Sequence, residues 1–268
     1  MKMQKEKLEL FIGPCVLESQ ALAEEIAGSL KEQLEEFFPL IQLTFKGSFD
    51  KANRTSINSY RGPGMEEGLK ILQSIRKNFG FPVVTDMHLP DQADAIASVV
   101  DVVQIPAFLC RQTDLVVAGA QACQKYSRRL KVKKGQFLAP DDVGNIVEKV
   151  SNFLPKSSLL LTERGSSFGY HNLIVDMASF MIMQSYGVKV IYDATHSVQR
   201  PGGLGHQTGG KREQIEVLAR AAVAAGANGV FMETHPNPEK ALSDSATALP
   251  LTKIKHIVAK LIDIYQVV

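Results

Sequence analysis

The sequence of 268 residues contains no tryptophan and only three cysteines. Such a small, odd number of cysteines does not suggest a disulfide framework. The 30 basic and 28 acidic residues nearly cancel and leave a formal net charge of +2. This balance gives no overall case for nucleic-acid binding, although basic side chains can still converge on a small anionic ligand.

Long apolar runs are also missing, because no uninterrupted stretch approaches the roughly 20 residues that a membrane-spanning helix needs. The basic N-terminal segment has a short apolar run interrupted by Glu9, which argues against a secretory signal. Neither a GxGxxG nor a P-loop motif is present, and this absence disfavours dinucleotides and P-loop nucleotides as ligands. We therefore expect a cytoplasmic protein with no nucleic-acid or membrane partner.

Short runs of aliphatic and β-branched residues alternate with longer amphipathic stretches along the whole chain. The short runs predict eight strands, over residues 8–13, 41–46, 82–86, 102–105, 130–134, 158–163, 188–193 and 229–234. Eight strand–helix units predict a single-domain (β/α)8 TIM barrel over residues 1–268, with a doubly wound open sheet as the alternative. The Gly-rich segment 200–211 is predicted to be a mobile loop after the seventh strand.

Each predicted strand is followed or ended by side chains capable of chemistry. These are Cys15, Lys46, Asp86 with His88, Gln104, Lys133, Arg164, Asp193 with His196, and Glu233 with His235. In a parallel barrel all strand C-termini lie on one face, where active sites are built. The pattern therefore predicts that residues far apart in sequence converge on one pocket.

The first predicted constellation binds anions. Guanidinium groups bind phosphate or carboxylate through two parallel hydrogen bonds, and lysines act as compact positive charges. A solvated surface charge is the ordinary explanation for one lysine or arginine, but several of these residues lie at predicted strand ends. The set comprises Lys46, Lys51, Asn53, Arg54, Thr55, Arg111, Lys133 and Arg164. The number of cations suggests one or two substrates that carry more than one anionic group.

The second predicted constellation is a metal site. Cys15 ends the first strand, His196 follows the seventh, Glu233 lies on the eighth, and Asp244 lies in the loop before the last helix. A thiolate, an imidazole and two carboxylates suit a divalent transition ion such as Zn²⁺, Fe²⁺, Mn²⁺ or Co²⁺. The wide spacing leaves a structural role for each residue open. Glu18 is interpreted instead as an acid that suits the dipole at the start of the first helix.

The segment FKGSFDKANRTSINSYRGPGMEEGL resembles the 3-deoxy-D-manno-octulosonate-8-phosphate (Kdo-8-phosphate) synthases. Further blocks follow in the same order, among them VVTDMHLPDQA, DVVQIPAFLCRQTDL, RGSSFGYHNLIVDM, DATHSVQRPGG and METHPNPEKALSDSATALPL. The resemblance runs from about Gly13 to Leu251. The KANRT block distinguishes this family from the related 3-deoxy-7-phosphoheptulosonate synthases, which have a KPR-type segment there.

The resemblance implies a cytoplasmic barrel, normally a homotetramer, that condenses phosphoenolpyruvate (PEP) with D-arabinose 5-phosphate and releases phosphate. The product of this family feeds the inner core of lipopolysaccharide. Family members with cysteine at the position of Cys15 depend on a metal, whereas members with asparagine do not, and the other three ligand positions match His196, Glu233 and Asp244. One divalent ion per subunit and no organic cofactor are therefore expected.

The same motifs imply roles for individual residues. Lys51, Lys133 and Arg164 resemble the PEP site, with Lys46 and Gln104 nearby. Asn53, Arg54 and Thr55 resemble the arabinose 5-phosphate site, and Arg111 resembles an arginine that reaches the sugar phosphate of a neighbouring subunit. Thr55 stands where many relatives have serine, and both residues offer a hydroxyl.

Four residues are expected to take part in the chemistry: Lys51, Lys133, His196 and Asp244. Cations would neutralise the anionic groups of PEP and fix its C3 carbon against the sugar aldehyde. His196 or Asp244 would assist proton transfer, and the metal would position either the attacking water or the aldehyde oxygen. The sequence leaves the choice between these two roles of the metal open.

Two other functions compete with this interpretation. A sister synthase that joins PEP to erythrose 4-phosphate or to an N-acetylated sugar would use a similar barrel, but the KANR block favours the pentose. A catalytically silent barrel that serves as a binding or scaffold protein would carry substitutions among the strand-end groups, and we find none.

Overall fold

Eight parallel strands close into a barrel in the computed structural model, which describes residues 6–54, 56–200 and 209–268. We number the barrel strands β1 to β8. They span Leu8–Gly13, Ile41–Lys46, Val83–Asp86, Val102–Ile105, Arg129–Lys133, Leu159–Glu163, Lys189–Asp193 and Gly229–His235. Each strand pairs with the next, and β8 pairs back with β1, where Leu10 lies opposite Val230. This closing pair excludes the open-sheet alternative and confirms the predicted (β/α)8 barrel.

Eight α-helices lie between and after the strands in the described ranges. They span Gln20–Leu34 (α1), Met65–Phe79 (α2), Ala93–Val99 (α3), Thr113–Tyr126 (α4), Gly144–Ser151 (α5), Ser179–Gln184 (α6), Ile215–Ala224 (α7) and Ile254–Val267 (α8). Within the described parts of the chain, none of these helices combines the length and the apolar character needed to cross a membrane.

The first helix shows how the sequence specifies its boundaries. Ser19 is the N-cap of α1, and its side chain accepts a hydrogen bond from the backbone N–H of Leu22 at 3.2 Å. Ile26, Leu30 and Leu34 repeat every four residues and are fully buried against the barrel. Capping satisfies one of the otherwise unpaired N–H groups, and the apolar stripe supplies the packing that holds a short helix.

Three short pairings supplement the barrel. Ser166–Ser167 pairs with Leu173–Ile174 in an antiparallel hairpin after β6, and Leu249–Pro250 pairs in parallel with the end of β8. Gln199–Arg200 pairs with Gly209–Gly210, so both ends of the predicted loop 200–211 are joined. Residues 201–208, where that mobile-loop prediction mainly falls, lie outside the described residues.

The barrel interior separates an apolar middle from a polar upper end. Along β1, Leu8, Leu10 and Ile12 belong to the large apolar layer that includes the helices, whereas Phe11 belongs to a separate inner cluster. That inner cluster consists of Phe11, Val84, Val102, Leu160, Ile191 and Phe231. This division follows from the alternation of side chains along a strand. The inner cluster fills the barrel, so the polar groups at the C-terminal ends of the strands line a closed-bottomed cavity.

Candidate active site

A cavity of about 620 Å³ opens where the C-terminal ends of the barrel strands meet. Seven strands contribute a polar side chain at or just after their ends: Lys46 (β2), Asp86 (β3), Gln104 (β4), Lys133 (β5), Arg164 (β6), His196 (β7) and Glu233 (β8). The structure thus brings together the strand-end groups that the sequence singles out. Their convergence follows from the parallel topology, which places all these ends on one face.

The loops add further predicted residues to the cavity wall. Lys51, Asn53 and Arg54 line it from the loop after β2, and Asp244 lines it from the loop after β8. Thr55 lies outside the described residues. Arg111 is exposed just before α4 and is not among the described residues that line the cavity.

Glu233 is the centre of a buried charge cluster. Its Oε1 lies 2.5 Å from the Nζ of Lys46 and 3.7 Å from the Nζ of Lys51. Burial alone would raise the pKa of Glu233, but the charges of Lys46, His196 and Lys51 together lower this pKa well below its ordinary value. Glu233 is therefore an ionised carboxylate inside the protein.

Lys46 is committed to protein contacts. Besides Glu233, its Nζ donates to the backbone oxygens of Pro14 at 3.0 Å and Cys15 at 2.5 Å, and the residue is 1% exposed. Lys46 was predicted to lie near PEP, and it does line the cavity. Its hydrogen bonds show that it also fixes the loop that carries Cys15.

The predicted metal ligands lie together. One ligand atom each from Cys15, Glu233 and Asp244 lie within 4.8 Å of one another. The Nε2 of His196 lies 3.6 Å from Glu233 Oε1 and 3.8 Å from Asp244 Oδ2. The other carboxylate oxygen of Glu233, Oε2, is buried without a hydrogen-bond partner among the described residues. A buried, ionised and partly unpaired carboxylate beside a thiol and an imidazole fits a divalent transition ion.

The Cys15 thiol has a pKa well above its ordinary value, because burial and the charges of Asp244 and Glu233 disfavour the thiolate. The Sγ atom lies 2.9 Å from Ser243 Oγ and 3.1 Å from Asp244 Oδ2, so the single hydrogen of the neutral thiol has two acceptors within reach. A nearby divalent cation reverses this electrostatic preference, since coordination deprotonates a thiol. Cys15 is therefore a neutral thiol in the absence of a cation, and it can become a thiolate ligand when a divalent cation binds.

His196 is oriented through its other ring nitrogen. His196 Nδ1 lies 2.9 Å from Asp193 Oδ1, and the second oxygen of Asp193, Oδ2, lies 2.6 Å from the Nζ of Lys133. Burial would raise the pKa of Asp193, but the charges of His196 and Lys133 lower it well below its ordinary value. When Nδ1–H donates to a carboxylate, the lone pair of the ring lies on Nε2 and is available to a metal. Metal-binding histidines usually have this arrangement.

A second polar network underlies the cavity. Asp86 accepts hydrogen bonds from Ser48 Oγ at 2.6 Å and from the side-chain amide of Gln104. The amide oxygen of Gln104 accepts from the Nζ of Lys131 at 2.7 Å, and Lys131 is fully buried. Gln104, predicted to lie near PEP, is therefore held from below by a lysine that sequence reasoning missed. The signal was available, because Lys131 and Lys133 are two residues apart and so share one face of β5.

The expectation that Glu18 serves the dipole of the first helix is wrong. Ser19 caps α1, and no acidic residue lies in its first turn. The carboxylate of Glu18 instead accepts a hydrogen bond from the backbone N–H of Leu242 at 3.0 Å. Glu18 therefore connects the loop after β1 to the loop after β8.

A closed barrel with lysines, an arginine and a candidate metal centre at the C-terminal ends of its strands defines a (β/α)8-barrel enzyme with a cavity lined by cationic side chains. The model of the DAHP synthetase I family matches residues 2–267, and the chain belongs to this family.

Curated relatives named 2-dehydro-3-deoxyphosphooctonate aldolase match nearly the whole chain. The protein from Trichlorobacter lovleyi is 52% identical over 255 residues, which cover 95% of this chain and 91% of the relative. The relative from Campylobacter jejuni serotype O:6 is 50% identical over 273 residues, 98% of each chain. The relative from Protochlamydia amoebophila is 48% identical over 264 residues, 98% of this chain and 94% of its own. Their name is a synonym of Kdo-8-phosphate synthase, so the resemblance seen in the sequence is confirmed.

Proposed function

We propose that the chain condenses PEP with D-arabinose 5-phosphate and water to give 3-deoxy-D-manno-octulosonate 8-phosphate and inorganic phosphate. The observation that carries this proposal is the cationic cavity at the strand ends, in a chain about half identical to enzymes named for this product. The reaction is an aldol-type formation of a carbon–carbon bond. We place it in the cytoplasm, where it supplies the inner core of lipopolysaccharide.

The chemistry requires cations around PEP. Its C3 carbon attacks the aldehyde carbon of the sugar, C2 then accepts water, and cleavage of the C2–O bond releases phosphate. Lys51, Lys133 and Arg164 line the cavity and would neutralise the carboxylate and phosphate of PEP. Orientation of two reactants can contribute about 7–11 kcal/mol to lowering a barrier. Positive charge beside the developing alkoxide adds electrostatic stabilisation.

The pKa of Lys51 supports this assignment. Burial would lower the pKa of Lys51, but the nearby acidic groups raise it well above its ordinary value; the largest contribution comes from Cys15 in its thiolate form, followed by Glu233, Asp86 and Asp244. Lys51 therefore carries its positive charge throughout the physiological range. Arg164 is held by the backbone oxygen of His196 at 3.2 Å and by Gln199 Oε1 at 3.0 Å.

The sugar phosphate is assigned to the loop after β2. Asn53 and Arg54 line the cavity there, and Thr55 would add a hydroxyl. Arg111 is exposed, and its family counterpart reaches the sugar phosphate of a neighbouring subunit. We therefore propose that the chain self-associates and that Arg111 of one subunit completes the phosphate site of the next. The hairpin after β6 also exposes Phe168 and Tyr170, at 70% and 93%, which suits burial in a homotetramer.

We assign one divalent transition ion per subunit to Cys15, His196, Glu233 and Asp244. The support is the donor set and the unpaired, buried Oε2 of Glu233. When bound, such an ion supplies Lewis-acid or water-activating chemistry at the cavity. Asp193 keeps the Nδ1 proton of His196 in place. A His196 that holds the ion through Nε2 has no free nitrogen for proton transfer, so of the two expected residues we assign the movement of a proton during water addition to Asp244.

Phosphate release from PEP tests the proposal directly. Arabinose 5-phosphate, erythrose 4-phosphate and an N-acetylated aldose are supplied in turn to the purified protein, before and after chelation and with metal restored. We expect release with the pentose phosphate, loss on chelation and recovery with the metal. Preference for erythrose 4-phosphate would overturn the substrate, and full activity in chelator would overturn the metal. PEP binding without phosphate release from any aldose would favour the binding-protein alternative.

A further inference from the structure

The loop that carries Asp244 has an unusual backbone. Asp244 has a φ of +47°, in the left-handed region that non-glycine residues rarely adopt. Its backbone oxygen accepts hydrogen bonds from the N–H groups of Thr247 and Ala248, both at 3.0 Å. These bonds stabilise the turn that follows Asp244. They do not fix where the loop that precedes it lies relative to Cys15.

Leu242 provides the missing anchor through its backbone. Its N–H donates to Glu18 Oε1 at 3.0 Å, and its carbonyl oxygen accepts from Arg54 Nη2 at 2.9 Å. The Leu242 side chain is 50% exposed, so apolar burial contributes little to holding this segment. Two side chains from other loops therefore hold the chain two residues before Asp244.

Glu18 also belongs to the loop of Cys15, three residues further along the chain. The Sγ of Cys15 lies 3.1 Å from Asp244 Oδ2. The hydrogen bond from Leu242 to Glu18 thus connects the loop that carries Cys15 to the loop that carries Asp244. These contacts join the two loops that present the thiol and the carboxylate. The Ser243 hydroxyl, 2.9 Å from the Cys15 Sγ, joins them as well, but Glu18 holds the backbone of the Asp244 loop.

His235 faces the same carboxylate from the end of β8. Its Nδ1 accepts a hydrogen bond from the backbone N–H of Asn237 at 3.0 Å, so a neutral ring carries its hydrogen on Nε2. That Nε2 lies 3.7 Å from Glu18 Oε1 and is buried without a hydrogen-bond partner among the described residues. Because a buried N–H group needs a hydrogen-bond acceptor, the Nε2–H of His235 favours a Glu18 side chain that stays at this position.

We propose that Glu18 is a positioning residue for the metal centre. By holding the Leu242 amide, it keeps the carboxylate of Asp244 against Cys15. Glu18 is not among the described residues that line the cavity, so it acts through the loop and not on substrate. This inference rests on the proposed metal site and extends it to a residue outside the ligand set.

Cobalt binding tests the proposal without relying on activity, because a thiolate–Co²⁺ bond gives a charge-transfer absorption. Affinity is measured by competition with a chelator for wild type, Glu18→Ala and Glu18→Gln, with Glu25→Ala as the matched control on exposed helix surface. We expect Glu18→Ala to bind Co²⁺ about 10- to 100-fold more weakly, as is typical when a group supporting a ligand is removed. Glu18→Gln keeps an oxygen acceptor for Leu242 and should stay within about threefold of wild type, as should Glu25→Ala.

The outcomes separate this inference from the proposed function. Wild-type cobalt affinity in Glu18→Ala would overturn the role of Glu18 and leave the metal site standing. Equal losses in Glu18→Gln and Glu18→Ala would show that the hydrogen-bond acceptor is not what matters, which also overturns it. A wild-type protein that binds no cobalt would overturn the metal site itself. Should Glu18→Ala fail to fold, Glu18→Gln is paired with Glu18→Asp, whose shorter side chain should weaken cobalt binding.

Discussion

The Nδ1 atom of His196 lies 2.9 Å from the carboxylate of Asp193, a residue that is fully buried on β7. The same carboxylate lies 2.6 Å from the Nζ of Lys133. One aspartate therefore orients two residues to which different roles are assigned, a candidate metal ligand and a PEP-binding cation. Asp193 links the two constellations of the site.

Replacing Asp193 with asparagine tests this link. The amide keeps the volume but removes the charge that His196 and Lys133 share, so we expect kcat to fall about 10- to 100-fold. Bound metal should fall in parallel, because Nε2 of His196 would no longer be oriented. Steady-state kinetics and metal analysis measure both effects, and Asp114→Asn on the exposed start of α4 is the control. Unchanged kcat in Asp193→Asn would show that the carboxylate orients neither residue.

Cys15 provides the test of the proposed metal site. The thiol lies within 4.8 Å of the Glu233 and Asp244 ligand atoms, and alanine offers no donor in its place. We expect Cys15→Ala to lose activity and bound metal together. Cys15→Asn is the sharper variant, since it imitates the metal-independent members that the family resemblance implies, and it should bind no metal. Elemental analysis beside the phosphate-release assay reads both properties, and metal retained by Cys15→Ala would remove the thiol from the ligand set.

The strands were predictable because each has a clear local signal. Every predicted strand boundary lies within one residue of the observed one, since a buried strand forms a short aliphatic run in the sequence. The parallel topology then places strand-end residues such as Lys133 and Glu233 on one face. This convergence can be predicted from the order of strands and helices alone, and it accounts for the cavity-lining residues at the strand ends.

The loop contacts were not predictable in this way. The bond between Glu18 and Leu242 depends on a loop in which Asp244 adopts a left-handed conformation. No periodicity marks such a backbone, and Glu18 has an ordinary alternative role at a helix start. The partners of Lys46 are equally hidden, because two of them are backbone oxygens whose positions depend on the path of the β1–α1 loop.

Lys131 lies beneath the cavity and provides a prediction about PEP binding. Burial, followed by the nearby charge of Lys133, lowers the pKa of Lys131 well below its ordinary value, and its Nζ holds the amide oxygen of Gln104. In Lys131→Met this hydrogen bond is lost, so we expect the KM for PEP to rise about five- to tenfold, as for one bond of about 1–1.5 kcal/mol. The free energy of unfolding should fall by no more than about 1 kcal/mol, because the lost hydrogen bond and the lost contacts of Nζ with the rings of Phe11 and Phe231 are offset when the desolvation cost of a buried amine is removed.

Initial-rate measurements at varied PEP, together with urea unfolding, check both parts. The matched control is Lys125→Met, whose lysine pairs with Asp94 on the surface. A Lys131→Met variant with wild-type KM would mean that Gln104 does not need its lysine partner.

Cys123 gives a pH-dependent prediction. The residue is fully buried between α4 and the barrel, and burial raises the pKa of its thiol from 9.0 to about 12. The folded pKa lies above the unfolded one, so this contribution to stability is complete below pH 9 and is lost as the pH rises from 9 towards 12. Urea unfolding at pH 8 and pH 10 should therefore show a steeper loss in wild type than in Cys123→Ala. The expected difference is about 1.4 kcal/mol for one pH unit. Parallel loss in both proteins would contradict the assignment of the thiol as a neutral packing group.

At the opposite end of the barrel, ion pairs of Glu9 are expected to affect the free energy of unfolding but not the activity. Glu9 is 4% exposed, and both of its oxygens accept from Arg129 Nη2, at 2.8 and 2.7 Å, while Lys189 Nζ lies 3.1 Å away. In Glu9→Gln the two cations lose their shared counter-charge. We expect the free energy of unfolding to fall by about 1–3 kcal/mol, less than for a fully buried pair because Arg129 is partly exposed.

Activity at 25 °C should be unchanged in Glu9→Gln, since Glu9 lies at the N-terminal end of β1, remote from the cavity at the C-terminal ends. Asp94→Asn, which removes an exposed partner of Lys125, is the comparison and should cost no more than about 1 kcal/mol. Chemical unfolding and the phosphate-release assay are measured on the same preparations. Equal stability of the two variants would show that the Glu9 cluster is a solvated ion pair that does not hold the barrel closed.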